Sequence, residues 1–182
     1  MMSIYVLEGE IQNRGLLRVV AVCLMFIALF AGCAHTTKMV TEPIERGWIS
    51  RSVLEGPPHQ EFKVSYDTAT VQAPFIPMLK SVDEGIKTIV VLGTWCPDSR
   101  RNVPHFLKVA DESGMVRDNI KLYCVDRSKK SDDGLTAEYN IERVPTFIFF
   151  KGGKEIGRIV ENPELTIEQD MVRIFAAAAA QP

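Results

Sequence analysis

Trp95-Cys96-Pro97-Asp98-Ser99 sets a cysteine one residue before a proline, at a point where the apolar pattern of the chain changes period. Upstream, Thr88-Ile89-Val90-Val91-Leu92 is an unbroken β-branched and apolar run of the length of a buried strand. Downstream, Val103, Phe106, Leu107 and Ala110 follow an i, i+3, i+4, i+7 rhythm, which puts one apolar face on a helix. Pro97 suits the first turn of that helix, where a missing N–H costs nothing. Cys96 is therefore predicted to sit where a strand turns into a helix. Pro145 lies forty-nine residues later, in Arg143-Val144-Pro145-Thr146. That segment runs straight into a second strand-like stretch, Phe147-Ile148-Phe149-Phe150.

Other elements fall into place around these two. Ile120 to Asp126 reads as a further strand, and Leu135 to Tyr139 as a short helix. Thr146–Phe150 and Glu155–Val160 flank Lys151-Gly152-Gly153-Lys154, whose glycines permit a hairpin turn. Thr166-Ile167-Glu168-Gln169 is a capping-box sequence. Ile167, Met171, Ile174 and Phe175 form the apolar stripe of the helix behind it. Pro104 removes a backbone donor inside the helix after Cys96 and predicts a kink. Before this region the signals thin out. Phe62-Lys63-Val64-Ser65-Tyr66 alternates and predicts a short edge strand, and Pro74 to Leu79 predicts a short helix. Residues 34 to about 60 are polar and mixed, as in a tether with an irregular lead-in.

The chain has 182 residues and a formal charge of −2. That is one domain with extensions, large enough to bury a core. No basic stripe is present, which argues against nucleic-acid binding. Arg14 and Arg18 precede an uncharged apolar stretch from Val19 to Phe30, then Ala31-Gly32-Cys33. This is the length of a signal-peptide core and short of the roughly 20 residues a spanning helix needs. Leu29-Phe30-Ala31-Gly32-Cys33 resembles the lipobox of bacterial lipoproteins, which implies lipidation at Cys33. It departs from that motif in carrying Phe30 where leucine is usual, and the leader before Arg14 is unusual in holding Glu8 and Glu10. The plainer alternative is an ordinary cleaved signal or a short anchor. Residues 1–32 are thus expected to be a lipoprotein-type signal peptide, 33–84 a tether and N-terminal extension, and 85–178 the folded domain. The expected location is the bacterial cell envelope, lipid-anchored, on the periplasmic face in a Gram-negative cell. Loss of the leader with Cys23, and acylation of Cys33, would leave Cys96 and Cys124 as the thiols, too few for a disulfide-stapled scaffold.

The order β-α-β-α-β-β-α, with Trp-Cys-x-x-Ser at the first strand–helix turn and Val-Pro-Thr before the later hairpin, resembles the thioredoxin family. So does Pro104, eight residues after the reactive cysteine. The resemblance implies an α/β thioredoxin-like fold, a central mixed sheet flanked by helices, here with an N-terminal extension. It implies that Pro145 is cis, as only X-Pro bonds commonly are, and that the Val144 backbone faces Cys96. Trp95, Pro97, Val144, Pro145 and Thr146 would then line the substrate groove. The departures are functional. Two-cysteine members resolve the mixed disulfide with a second sulfur three residues on, where this chain has Ser99. Many also carry a buried acid six residues before the first cysteine, where this chain has Val90.

The chemistry expected of the site follows from its thiolate. A helix N-terminus favours negative charge and lowers cysteine pKa values. Ser99 is placed to donate a hydroxyl hydrogen bond to the sulfur, and Arg100 and Arg101 add positive charge, while Asp98 opposes them. One thiolate can still exchange disulfides when a substrate thiol or a small thiol such as glutathione displaces it. Monothiol exchange with extracytoplasmic proteins through Cys96 is the expected activity, isomerase-like or glutathione-dependent, with no cofactor and no metal. The alternative is a non-catalytic binding or assembly module on the same fold. Cys124, in a predicted strand, is expected to be a small core hydrophobe rather than an unconventional resolving thiol. His35, His59 and His105 form no ligand set and are expected at the surface. His105 lies about 13 Å along the helix from Cys96.

Overall fold

A computed structural model describes residues 43–82 and 85–180 of the protein. The signal-peptide and lipobox readings, Cys33 included, and the first part of the predicted tether lie outside the described residues. Five strands form one mixed sheet: β1 (Gly47–Ile49), β2 (Ile86–Leu92), β3 (Ile120–Cys124), β4 (Thr146–Lys151) and β5 (Lys154–Val160). Their order is β1-β3-β2-β4-β5. β2 and β3 run parallel, with Val90 opposite Leu122 and Leu92 opposite Cys124. β1 pairs antiparallel with β3, β4 with β2, and β5 with β4. The helices are α1 (Arg51–Glu55), α2 (Gln60–Thr68), α3 (Ile76–Val82), α4 (Pro97–Ser113), α5 (Leu135–Glu138) and α6 (Ile167–Ala179). Single 3-10 turns at Ala73–Phe75 and Arg117–Asn119 precede α3 and β3.

β2 reads as a continuous apolar run because both of its faces are buried. Val90 and Leu92 face the main core with Val103, Phe106, Phe147, Phe149, Met171 and Phe175. Val91 faces a second cluster with Tyr123, Val125, Leu135, Ile141, Val144 and Ile148. Aromatic packing ties the main core together, with Phe106 and Phe147 ring centroids 4.9 Å apart and Phe149 and Phe175 5.1 Å apart. The apolar stripe of α4 is buried as its spacing predicts, and Pro104 is buried inside the helix. Gly114 ends α4 in the left-handed region at φ 80°, its N–H directed to the Ala110 and Asp111 carbonyls. Thr166 caps α6 by accepting from the Gln169 N–H at 3.3 Å.

The N-terminal half departs from the sequence reading. Phe62–Tyr66 lies in helix α2, not in an edge strand. Alternation over five residues also satisfies a helix when its two ends lie at i and i+4. Phe62 is buried and Tyr66 packs beside it on the core, while Val64 between them points to solvent. The stretch predicted to be irregular up to about residue 60 holds β1 and α1. α2 packs on α4, and α3 on α4 and α6. Asp111 of α4 binds Arg51 of α1 through two oxygens, at 3.0 and 2.8 Å, and accepts from Tyr66 Oη of α2 at 2.7 Å. His59, expected at the surface, is completely buried, with Nε2 3.0 Å from Glu45 Oε1. Arg51 and Tyr66 are fixed by the Asp111 carboxylate that α4 presents, and His59 by Glu45, partners distant in the chain that no local pattern records.

Candidate active site at the N-terminus of α4

Cys96 is the N-cap of α4, with extended backbone at φ −89° and ψ 123°, and Pro97 occupies the first turn. Its N–H reaches back to the Gly93 carbonyl at 2.9 Å, closing the turn from β2. The thiol is 6% exposed and donates to the Val144 carbonyl at 3.2 Å. The Val144–Pro145 bond is cis. The two distant motifs of the sequence therefore meet at one sulfur.

Each flanking residue has a definite place. Trp95 is half-buried beside the sulfur, its indole N–H donating to the Val125 carbonyl at 2.9 Å. A Cβ on Gly93 would sit 2.7 Å from that indole, so only glycine admits the ring there. Thr94 is buried. Its hydroxyl takes the Glu45 N–H and donates to the Pro43 carbonyl, both at 3.3 Å, so the N-terminal segment clamps the loop before the cysteine. Pro97 is exposed. A shallow cleft opens beside it, walled by Ser65 and Thr68 of α2 and by Arg100, Arg101 and His105 of α4.

Three expectations need correction. The buried Ser99 hydroxyl accepts the Gly93 N–H at 3.2 Å, and no hydrogen bond joins it to the sulfur. Ser99 thus secures the turn. Arg100 and Arg101 do not deliver bare charge to the thiol. The Arg100 Nε lies 2.7 Å from the Thr94 carbonyl and 3.1 Å from Glu61, and Arg101 pairs with Asp98 at 2.6 Å. Thr146 is buried and donates to the Arg143 carbonyl at 2.7 Å, so it shapes the turn around Pro145 instead of lining a groove.

Cys124 lies in the main core, whereas Cys96 belongs to the cluster on the opposite face of the sheet. Burial, with the Glu45 charge adding to it, pushes the Cys124 thiol up to about 12. It is a core side chain. His105 donates to Glu168 of α6 at 3.0 Å. Val90, where a buried acid is common, is completely buried in apolar surroundings. Among the described residues no three of His, Cys, Asp and Glu gather as metal ligands.

The thioredoxin family profile matches residues 58–177. The chain belongs to the thioredoxin family. Family membership places it among thiol–disulfide redox proteins. A thioredoxin-like protein of Acanthamoeba polyphaga mimivirus is 29% identical over 98 residues, covering 54% of this chain and 69% of that one. Thioredoxin-2 of Saccharomyces cerevisiae is 32% identical over 103 residues, covering 52% of this chain and 93% of the yeast protein. In three dimensions the chain is similar to a protein of unknown function from Pseudomonas aeruginosa. That match has a TM-score of 0.52 at 15% identity and covers 73% of this chain and 92% of the other, a likeness of fold alone.

The motif reading of this thioredoxin-family site missed the residues that buttress it. Asn102 of α4, nearly buried, donates to the Glu161 carbonyl at 2.7 Å and to Asn162 Oδ1 at 3.1 Å. The Glu161 N–H in turn reaches the Pro145 carbonyl at 2.6 Å. Glu161 is held at φ 63°, unusual for a side-chain-bearing residue, and its carboxylate pairs with Arg143 at 2.9 Å. One asparagine thus links the reactive helix to the cis-proline turn. Its only sequence signal is a polar residue on the inward edge of an amphipathic helix.

Proposed function

We propose that this thioredoxin-family protein carries out monothiol thiol–disulfide exchange through Cys96. The observation that carries the reading is a lone sulfur at a helix N-cap, facing the cis-proline turn, with serine where a resolving thiol would stand. Ionisation of Cys96 releases the proton now held toward Val144 to solvent. The thiolate attacks one sulfur of a substrate disulfide, forming Cys96–S–S–R and expelling the other as a thiolate. A second thiol, from the substrate or a small molecule such as glutathione, then attacks the mixed disulfide and restores Cys96. The net change is a rearranged or transferred disulfide, and the protein is neither oxidised nor reduced. Trp95 and Pro97 supply exposed or half-buried apolar surface beside the sulfur.

The substrates proposed are extracytoplasmic proteins with thiols or disulfides. The proposed location is the bacterial envelope, with a lipid anchor on Cys33. What supports it is the apolar stretch Val19–Phe30 running into Ala31-Gly32-Cys33. A second reading, a docking module without turnover, rests on the limited exposure of the sulfur.

Isomerisation of a scrambled-disulfide substrate in a glutathione buffer separates them. Turnover by the wild type that is lost in Cys96→Ala is the expected result. Equal and negligible turnover in both proteins would favour the docking module.

A further inference from the structure

We infer that Arg127 makes Cys96 selective for substrates that carry a carboxylate close to the exchanging sulfur. The inference rests on the exchange reading above and adds a substrate class to it. Nine arginines fall within the described residues, and eight of them meet a carboxylate. Arg127 is the exception. Its exposed guanidinium lies over the Trp95 ring, 4.9 Å from the centroid, with no carboxylate partner among the described residues.

The charges around the sulfur make this cation stand out. Asp126 pairs with Arg46, Asp98 with Arg101, Glu61 with Arg100 and Glu161 with Arg143. In the cleft on the other side of Pro97 the cations are likewise committed, His105 to Glu168 included. Glu142 is the acid left over near the turn, and Lys129 lies beside it, 3.1 Å from its carbonyl. Arg127 thus sets a positive charge, with no carboxylate partner among the described residues, on the indole that flanks Cys96. Stacking holds a guanidinium flat while leaving its N–H edge open to a carboxylate. A carboxylate one residue from the substrate sulfur would fall within a Debye length of it, about 8 Å at physiological salt. Such a group occurs on an acidic residue beside a cysteine in a protein segment, and in glutathione.

The test uses the full-length protein and blocked peptides Glu-Cys, Gln-Cys and Lys-Cys, each as a mixed disulfide with 2-thiopyridine, together with the glutathione derivative. Attack by Cys96 on the peptide sulfur forms Cys96–S–S–peptide and expels the pyridinethiolate. That takes a proton from solvent and absorbs as the neutral thione. The expected order is Glu-Cys over Gln-Cys over Lys-Cys, with about three- to tenfold between the first two at low salt, shrinking as salt rises. Arg127→Gln should level the series and Arg127→Glu should invert it, with unchanged unfolding midpoints because the residue is exposed. A preference seen with the acidic peptide assigns a protein segment as the source of the carboxylate. A preference confined to the glutathione derivative, and lost in Arg127→Gln, assigns the small thiol. Equal rates for all substrates, or a preference that survives Arg127→Gln, overturn the inference and leave the exchange reading standing. No Cys96-dependent release with any substrate overturns both.

Discussion

Cys96 and Cys124 are both buried, yet opposite faces of the sheet give them different chemistry. Cys96 is the N-cap residue of a helix, and its proton is directed to the Val144 carbonyl. Cys124 is 1% exposed among apolar side chains, where a thiolate has no compensating partner. Burial pushes its thiol up to about 12 in the folded chain, from an ordinary value of 9.0. The unfolded chain therefore loses this proton first. The stabilisation is complete below pH 9 and is lost progressively as pH rises toward 12, with a slope of up to about 1.4 kcal/mol per pH unit. Denaturant unfolding followed from about pH 8 to about pH 11 should show this decline in the wild type and a shallower one in Cys124→Val. Parallel curves would show that Cys124 is not held neutral by its surroundings. Gly93 makes a related point about residues without side chains. Its role is to admit the Trp95 ring, which a Cβ there would meet at 2.7 Å, so any side chain would displace the indole from the sulfur.

Between elements, the site depends on α4 and the cis-proline turn keeping their spacing. The connection is a chain of polar contacts: Asn102 to the Glu161 carbonyl, then the Glu161 N–H to the Pro145 carbonyl. Asn102→Ala removes the donor and leaves a shielded carbonyl unpaired, which costs about 1–2 kcal/mol. Equilibrium unfolding should report that loss. Hydrogen exchange at the Glu161 amide should accelerate, because its bond to Pro145 is no longer braced. An unchanged exchange rate would show that the turn is held by β4 and β5 alone. The strand and helix boundaries here follow from the sequence because period and turn chemistry are local properties. Thr166 caps α6 for the same reason. Asn102 is different, since its partner lies fifty-nine residues away.

Across the whole molecule, the residues before β2 are built into the body by carboxylates that α4 and α6 hold. Burial alone would push Glu168 up, but hydrogen bonds from His105 and from the backbone N–H groups of Gln72 and Glu168 itself outweigh it and hold it at about 2. Burial likewise pushes Asp111 up, and hydrogen bonds from Arg51 and Tyr66 with the Arg51 and Arg117 charges hold it below the usual carboxylate range. Both groups have folded values below their ordinary ones of 4.5 and 3.8. Their stabilisation is therefore present above those values and is lost as pH falls. Acid unfolding should steepen below pH 4.5 and be shallower in Glu168→Gln. A titration identical in the two proteins would mean that Glu168 is not a determinant of acid stability.

The sequence by itself determined the strand–turn–helix at Cys96, the core from β2 to α6, the α/β class and the absence of a resolving thiol three residues on. Each is carried by neighbours in the chain, through hydropathy period, proline position and residue identity. Only the tertiary structure decided that Phe62 belongs to a helix, that His59 is buried, that Ser99 and Thr146 spend their hydroxyls on the backbone, and that Arg127 lies over Trp95 with no carboxylate partner among the described residues. Those outcomes depend on which groups distant segments bring within about 3 Å of one another, or on which they leave unmet. A hydroxyl or guanidinium bonds to whatever the fold brings nearest, and no local pattern in the chain records that choice.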